Sequence, residues 1–169
     1  MPNWYFNAVD IHAPLGEVRA YLATDYFMDD PNRPIYRFNL HKLYPDRFAA
    51  DDLCGHKAWD YDWMIENTGT KWNPNVCVRE RDPGLTVLDY DTAWVPNNLL
   101  LERLHKLTGW TIHNRFEEEQ PEFEGDLHCE DGACTQDYRP GIPKCPICAE
   151  PAEHGPRGPK LHIWAFKGT

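Results

Sequence analysis

The chain contains no serine at all, which excludes every hydrolase whose nucleophile is a serine hydroxyl activated by histidine. It has no apolar run near the ~20 residues that a membrane-spanning helix needs, so a soluble protein is expected. Met1 to Asp10 mixes Pro, Asn, Trp and Asp, with no basic region followed by an apolar one. A secretory signal is therefore not expected, and a cytoplasmic location is. Basic residues are missing where acids are densest: Glu117 to Asp131 holds Glu117, Glu118, Glu119, Glu122, Glu124, Asp126, Glu130 and Asp131 with no Lys or Arg, in a chain of formal net charge −10. Such a stretch repels phosphate backbones and attracts basic surfaces, so the expected partner is a protein with a basic face, and nucleic acid is disfavoured. Glu117, Glu118, Glu119, Glu122, Glu124 and Asp126 are the candidate partner-binding residues. The ordinary role of a charge run is a solvated strand edge that resists aggregation.

What is present in quantity is cysteine near the C-terminus. His128-Cys129-Glu130-Asp131-Gly132-Ala133-Cys134 is followed after ten residues by Cys145-Pro146-Ile147-Cys148. Thiolates paired at short spacing can close a tetrahedron around zinc without another ligand, so Cys129, Cys134, Cys145 and Cys148 are expected to hold a structural Zn2+. An iron centre, two local disulfides or free thiols are the alternatives. His128 or His154 could replace one cysteine. Cys54 and Cys77 read as buried small hydrophobes.

At 169 residues the chain is long enough for one domain of ordinary size with a small appendage. Asn3 to Ala13 alternates as a strand, with Tyr5, Asn7, Val9 and Ile11 on one face. Pro14 opens a helix carrying Leu15, Val18 and Leu22 through about Thr24. Tyr36 to Leu43 reads as a second strand, and Asp46 to Asn75 shows no assignable pattern. Leu85 to Trp94 is a strand, with Leu88, Tyr90, Thr92 and Trp94 on one face and Val87, Asp89 and Asp91 on the other. Asn97 or Asn98 caps a helix bearing Leu100, Leu101, Leu104 and Leu107, stopped by Gly109. Trp110 to Glu118 is a further strand. This order has the outline of an α+β, ferredoxin-like antiparallel sheet with two helices on one face. The expected division is residues 1–125 as that domain and 126–169 as a zinc-ribbon-like extension, in which Phe123 to His128 pairs with Leu161 to Phe166.

Four motifs in order carry a family resemblance: Met1-Pro2-Asn3-Trp4, Gly69-Thr70-Lys71-Trp72-Asn73, Thr92-Ala93-Trp94-Val95-Pro96, and Glu118 followed by Phe123-Glu124-Gly125. Together they resemble the YubB-like family of plasmid and phage proteins, across roughly residues 1 to 125. The resemblance implies a ferredoxin-like fold, a phage or plasmid origin and hence a host-cell cytoplasm. It implies no reaction.

Catalytic machinery is sparse. Gly69-Thr70-Lys71 lacks the upstream glycine of a phosphate-binding loop, and Trp72 and Trp94 read as core residues. Asp60, Asp62 and Glu66 are candidate carboxylates for a divalent cation of a nuclease. Cys54 stands two residues before His56 with no orienting group near it in sequence. The expected protein is a non-enzyme, an accessory inhibitor of a host protein such as an anti-CRISPR or other anti-defence factor; the alternative is a zinc-ribbon regulator that binds nucleic acid.

Overall fold

Trp4–Ile11 forms the strand its alternation predicts. In the computed structural model, which describes residues 3–25, 35–119 and 123–140 and the short pairs 154–155 and 158–159, it is the centre of the main sheet. In chain order the elements are β1 (Trp4–Ile11), α1 (Leu15–Arg19), β2 (Leu22–Asp25), β3 (Ile35–Phe38), α2 (Leu40–Leu43), α3 (Tyr61–Thr68) and β4 (Cys77–Asp82). There follow β5 (Leu85–Ala93), α4 (Asn98–Thr108), β6 (Ile112–Glu118), β7 (Phe123–Glu130), β8 (Ala133–Pro140), β9 (His154–Gly155) and β10 (Gly158–Pro159). The fold is α+β. Six strands in the order β4-β5-β1-β6-β7-β8 make one sheet, antiparallel at every junction.

Alternation along each strand sends one set of side chains toward the helices. Val9 and Ile11 of β1, Leu88 and Tyr90 of β5, Ile112 of β6 and Leu127 of β7 are buried there together with Leu100, Leu101 and Leu104 of α4. Phe38, Leu40, Leu43, Phe48 and Met64 extend the core beyond the sheet and α4. Leu107, expected in the apolar stripe of α4, is instead exposed, because the buried arc runs through Leu100, Leu101, Leu104 and His105. The other face of the sheet, carrying Phe6, Ala8, Asp89, Asp91, Arg115, Glu117, Glu124 and Asp126, has no described element packed over it. Among the described residues no helix is long and apolar enough to cross a membrane.

Several expectations are corrected. The first helix ends at Arg19, and Leu22–Asp25 is a strand paired with Ile35–Phe38, where Leu22 still reaches the core. The strand expected over Tyr36 to Leu43 breaks at Asn39, whose side chain accepts from Lys42 N at 3.0 Å and so caps α2. The second strand of the main sheet is β4, a charged and largely exposed edge strand without an apolar alternation to betray it. Residues 126–140 belong to the main sheet, since β7 runs through the expected boundary at 125/126, and its hairpin partner is β8. Leu161 to Phe166 lies outside the described residues.

The β7–β8 turn is Asp131-Gly132, with φ of 51° and 79°. Two consecutive positive φ values make a tight hairpin turn whose twist matches its strands, and Asp-Gly is among the pairs that adopt it most readily. Chain direction thus reverses on Asp131-Gly132, with Cys129 and Cys134 directly opposite each other.

Candidate functional site

The described residues of the four separated motifs, from Asn3 onward in the first, meet at one corner of the molecule. Asn3 O accepts from Trp94 N at 2.8 Å, and Asn3 Nδ2 donates to Glu118 Oε1 at 2.6 Å. Thr70 Oγ1 donates to Ala93 O at 3.3 Å, tying the loop after α3 to the end of β5. Gly69 closes α3 so near the chain at Pro96 that a Cβ would stand 3.1 Å from the Pro96 carbonyl oxygen. Trp4 and Trp72 pack with ring centroids 5.8 Å apart. Lys71 Nζ lies 5.0 Å from the Trp72 ring centre and 5.3 Å from that of Trp94, within the range of cation–π attraction.

The structure overturns burial for Trp94. It is 42% exposed and has a φ of 75°, because β5 ends at Ala93 and the chain turns outward toward α4. Trp59 (49% exposed), Tyr61 (37%) and Phe6 (42%) are also on the surface, with Tyr61 against Trp94 at 6.0 Å between centroids. Trp59 Nε1 donates to Lys71 O at 3.1 Å, so this exposed indole is held in place.

Trp4, Trp59 and Trp72 also wall a cavity of about 460 Å³, whose polar lining includes Arg37, Cys54, His56, Asn73 and Asp91. Behind it, Arg37 Nε donates to the buried Asp25 carboxylate, which His56 Nε2 also meets at 3.3 Å. Burial, and after it the negative charge of Asp25, pushes the Cys54 thiol up to about 11, so unaided it is no nucleophile.

Asp91 lines this cavity and also a groove of about 520 Å³ on the open sheet face, bounded by Phe6, Ala8, Asp89, Arg115, Glu117, Glu124, Asp126 and Arg139. Partial burial, then the charge of Glu119, holds the Asp91 carboxyl above the ordinary carboxylate range. The acidic stretch is not one patch. Strand alternation leaves Glu117, Glu124 and Asp126 on the open face and turns Glu118 inward, where it is 5% exposed. Glu119 follows the end of β6, and Glu122 lies outside the described residues. Arg139 pairs with Asp126 and approaches Glu124 at 3.8 Å, so this one guanidinium offsets part of the remaining charge, and His113 Nε2 reaches Asp126 at 3.0 Å.

The candidate nuclease carboxylates do not form a metal-holding group among the described residues. Asp60 caps α3 by accepting from Trp63 N at 2.9 Å, while Asp62 and Glu66 sit exposed one turn apart on that helix. Cys77 is exposed, being on the outward side of an edge strand, and Cys54 lines the cavity. Cys129 and Cys134 are joined as a disulfide on the core side of the hairpin, with Cys129 fully buried. Adjacent sulfurs suit half of a zinc tetrahedron, but the disulfide and a shared ion are alternative states of the same two atoms. Cys145 and Cys148 lie outside the described residues. His128 is on the opposite face of β7 from Cys129 and meets Glu130 at 3.3 Å, so it cannot stand in for a ligand beside Cys129. The side chain of His154 is not described.

Compared with known proteins, the chain matches no family model, no curated protein and no solved structure.

Proposed function

We propose that this is a phage- or plasmid-encoded accessory protein that binds and blocks a host protein, of the anti-CRISPR or another anti-defence kind. The observation that carries the binding reading is the continuity, through Asp91, of the exposed aromatic corner with the acidic groove. Rigid aromatics beside a charged recess form the type of surface on which a few residues supply most of the binding energy. A partner's Lys or Arg would lay its aliphatic stem over Phe6 and Ala8 and bring its cation to Asp91 and Glu117. The YubB-like resemblance supports the phage or plasmid origin, since its motifs build this corner. A ferredoxin-like frame belongs to the same proposal, supported by the order β4-β5-β1-β6 with α4 connecting β5 to β6. The mixed but predominantly acidic open face speaks against a nucleic-acid platform.

The test is capture by the immobilised full chain from lysate of the natural host, with and without nuclease treatment. A host protein retained near stoichiometry by the wild type, and at least ~10-fold more weakly by Trp94→Ala and by Asp91→Asn, is the expected result. Asp91→Asn should also flatten the salt dependence. Unchanged retention by both variants overturns the surface, and recovery only with intact nucleic acid favours the zinc-ribbon regulator.

The structural zinc is a separate part of the proposal, restricted to the reduced chain, with Cys129, Cys134, Cys145 and Cys148 as ligands. Elemental analysis after preparation in reductant should find a zinc equivalent that Cys148→Ser removes. Zinc content indifferent to that substitution refutes it.

A further inference from the structure

We propose that Asp25, Cys54 and His56 form a binding site for a transition-metal ion of the zinc class, with an open coordination position toward the tryptophan-walled cavity. This does not rest on the partner surface or on the C-terminal cysteines. One carboxylate oxygen, one sulfur and one imidazole nitrogen lie within 4.8 Å of one another, and no other such group of three occurs among the described residues. Ligands around a tetrahedral zinc stand about 3.3–3.8 Å apart, as bond lengths near 2.0–2.3 Å require. Small side-chain rotations would therefore close the site without moving the backbone. Nitrogen, sulfur and oxygen together select zinc, cobalt or nickel over magnesium or calcium, which take oxygen alone.

The backbone around these ligands is built to present them. Gly55 between Cys54 and His56 has a φ of 78°, and a Cβ there would stand 2.6 Å from Leu40 Cδ1 and 3.0 Å from Phe48 Cε1, so a side chain at this turn would be strained and would displace its neighbours. Asp52 fixes the far side of the loop, accepting from Lys57 N at 3.1 Å and Ala58 N at 2.9 Å. Asn73 Nδ2 holds Cys54 O at 3.2 Å, and Leu40 N holds Leu53 O at 2.7 Å. Asp25 comes from the end of β2, with Arg37 on its carboxylate. Arg37 is the opposing consideration, because its positive charge lies close to the proposed cation. It donates to Asp25 through Nε and to Asn73 O through Nη1, and in that position it orients the carboxylate while lowering the site's affinity. Cys54 and His56 line the cavity, so the fourth position faces a space large enough for water or a small ligand.

The probe is Co2+, added to the metal-free full chain without reductant so that Cys129 and Cys134 stay joined. Wild type and a Cys145→Ser/Cys148→Ser control should both bind about one equivalent at this site, with sulfur-to-cobalt charge-transfer absorption. Cys54→Ser should lose that absorption, and His56→Ala should bind at least ~10-fold more weakly. Both substituted side chains reach the cavity, and unchanged melting curves of the metal-free variants will show that the fold is intact. Added Co2+ should then raise the melting temperature of the wild type and of the Cys145→Ser/Cys148→Ser control more than that of Cys54→Ser or His56→Ala. Cobalt binding that is absent from the wild type, abolished in the Cys145→Ser/Cys148→Ser control, or indifferent to both Cys54→Ser and His56→Ala overturns the site.

Discussion

Gly125→Val should destabilise the protein by about 3 kcal/mol, a fall in melting temperature of roughly 6–12 °C for a chain of this size. Strand propensity alone points the other way, since valine is favoured and glycine disfavoured in the interior of a strand by up to about 1 kcal/mol. Space decides the sign. A Cβ at Gly125 would stand 2.1 Å from the Asp137 carbonyl oxygen and 2.6 Å from Phe116 Cζ. The first obstacle is backbone, so β7 and β8 would have to separate. The second is a ring that packs against Tyr138 at 5.1 Å and Tyr5 at 6.4 Å between centroids. Phe116 and Tyr138 are the cross-strand neighbours of Gly125, where aromatic rings can cover the surface a glycine leaves bare. Thermal unfolding followed by circular dichroism checks this. Gly125→Ala should fall between wild type and Gly125→Val, and a melting temperature raised by either substitution would refute the steric account.

The inward-facing halves of β1, β5 and β6 were legible because alternation writes burial directly into sequence: Tyr5, Asn7, Val9 and Ile11 face the core as expected. Helix α4 was legible through its leucine spacing and the Gly109 stop. β4 was not, because Cys77–Asp82 is an edge strand whose charged residues meet solvent on both sides. β8 had a readable signal in Asp131-Gly132, but the flanking cysteines drew attention to a metal knuckle, although the same Cys-x4-Cys spacing also suits opposed positions across a two-residue hairpin turn. α3 was obscured by the interleaving of Asp60 and Asp62 with aromatics, yet Asp60 as cap and Gly69 as stop are ordinary boundary signals.

The candidate site divides similarly. Asp89 and Asp91 were placed on the outward face by strand period, and there they are. Counting acids from Glu117 to Asp131 could not reveal that the pleat buries Glu118, nor that Arg139, beyond the stretch, would fold back onto Asp126. Cys54 and His56 have no orienting partner near them in sequence. Their neighbour Asp25 lies 31 residues from His56 and is brought in only when β2 pairs with β3. Chemistry assembled across such a separation leaves no local pattern to read.

The joint that holds this assembly gives the second large effect. Asn73→Ala should cost about 3–4 kcal/mol, although it removes only a small polar side chain. Asn73 Oδ1 accepts from Phe38 N at 3.1 Å, and its Nδ2 donates to Phe38 O at 2.7 Å and to Cys54 O at 3.2 Å. A single amide thus pairs both backbone groups of Phe38 as a neighbouring strand would, and ties β3 to the Cys54 loop. Asn73 is 4% exposed and Phe38 fully buried, so water does not readily replace these bonds and the orphaned groups bear their desolvation cost. Asn73→Asp should be at least as damaging as alanine: the carboxylate can still accept from Phe38 N, but it sets negative oxygen against two carbonyl oxygens. Hydrogen exchange gives the specific readout. In Asn73→Ala the Phe38 amide should lose more protection than amides of β1 at the sheet centre, because the local joint opens before the whole fold does. Equal losses at both positions would show that Asn73 contributes only to global stability, and unchanged stability would show that the clamp contributes nothing.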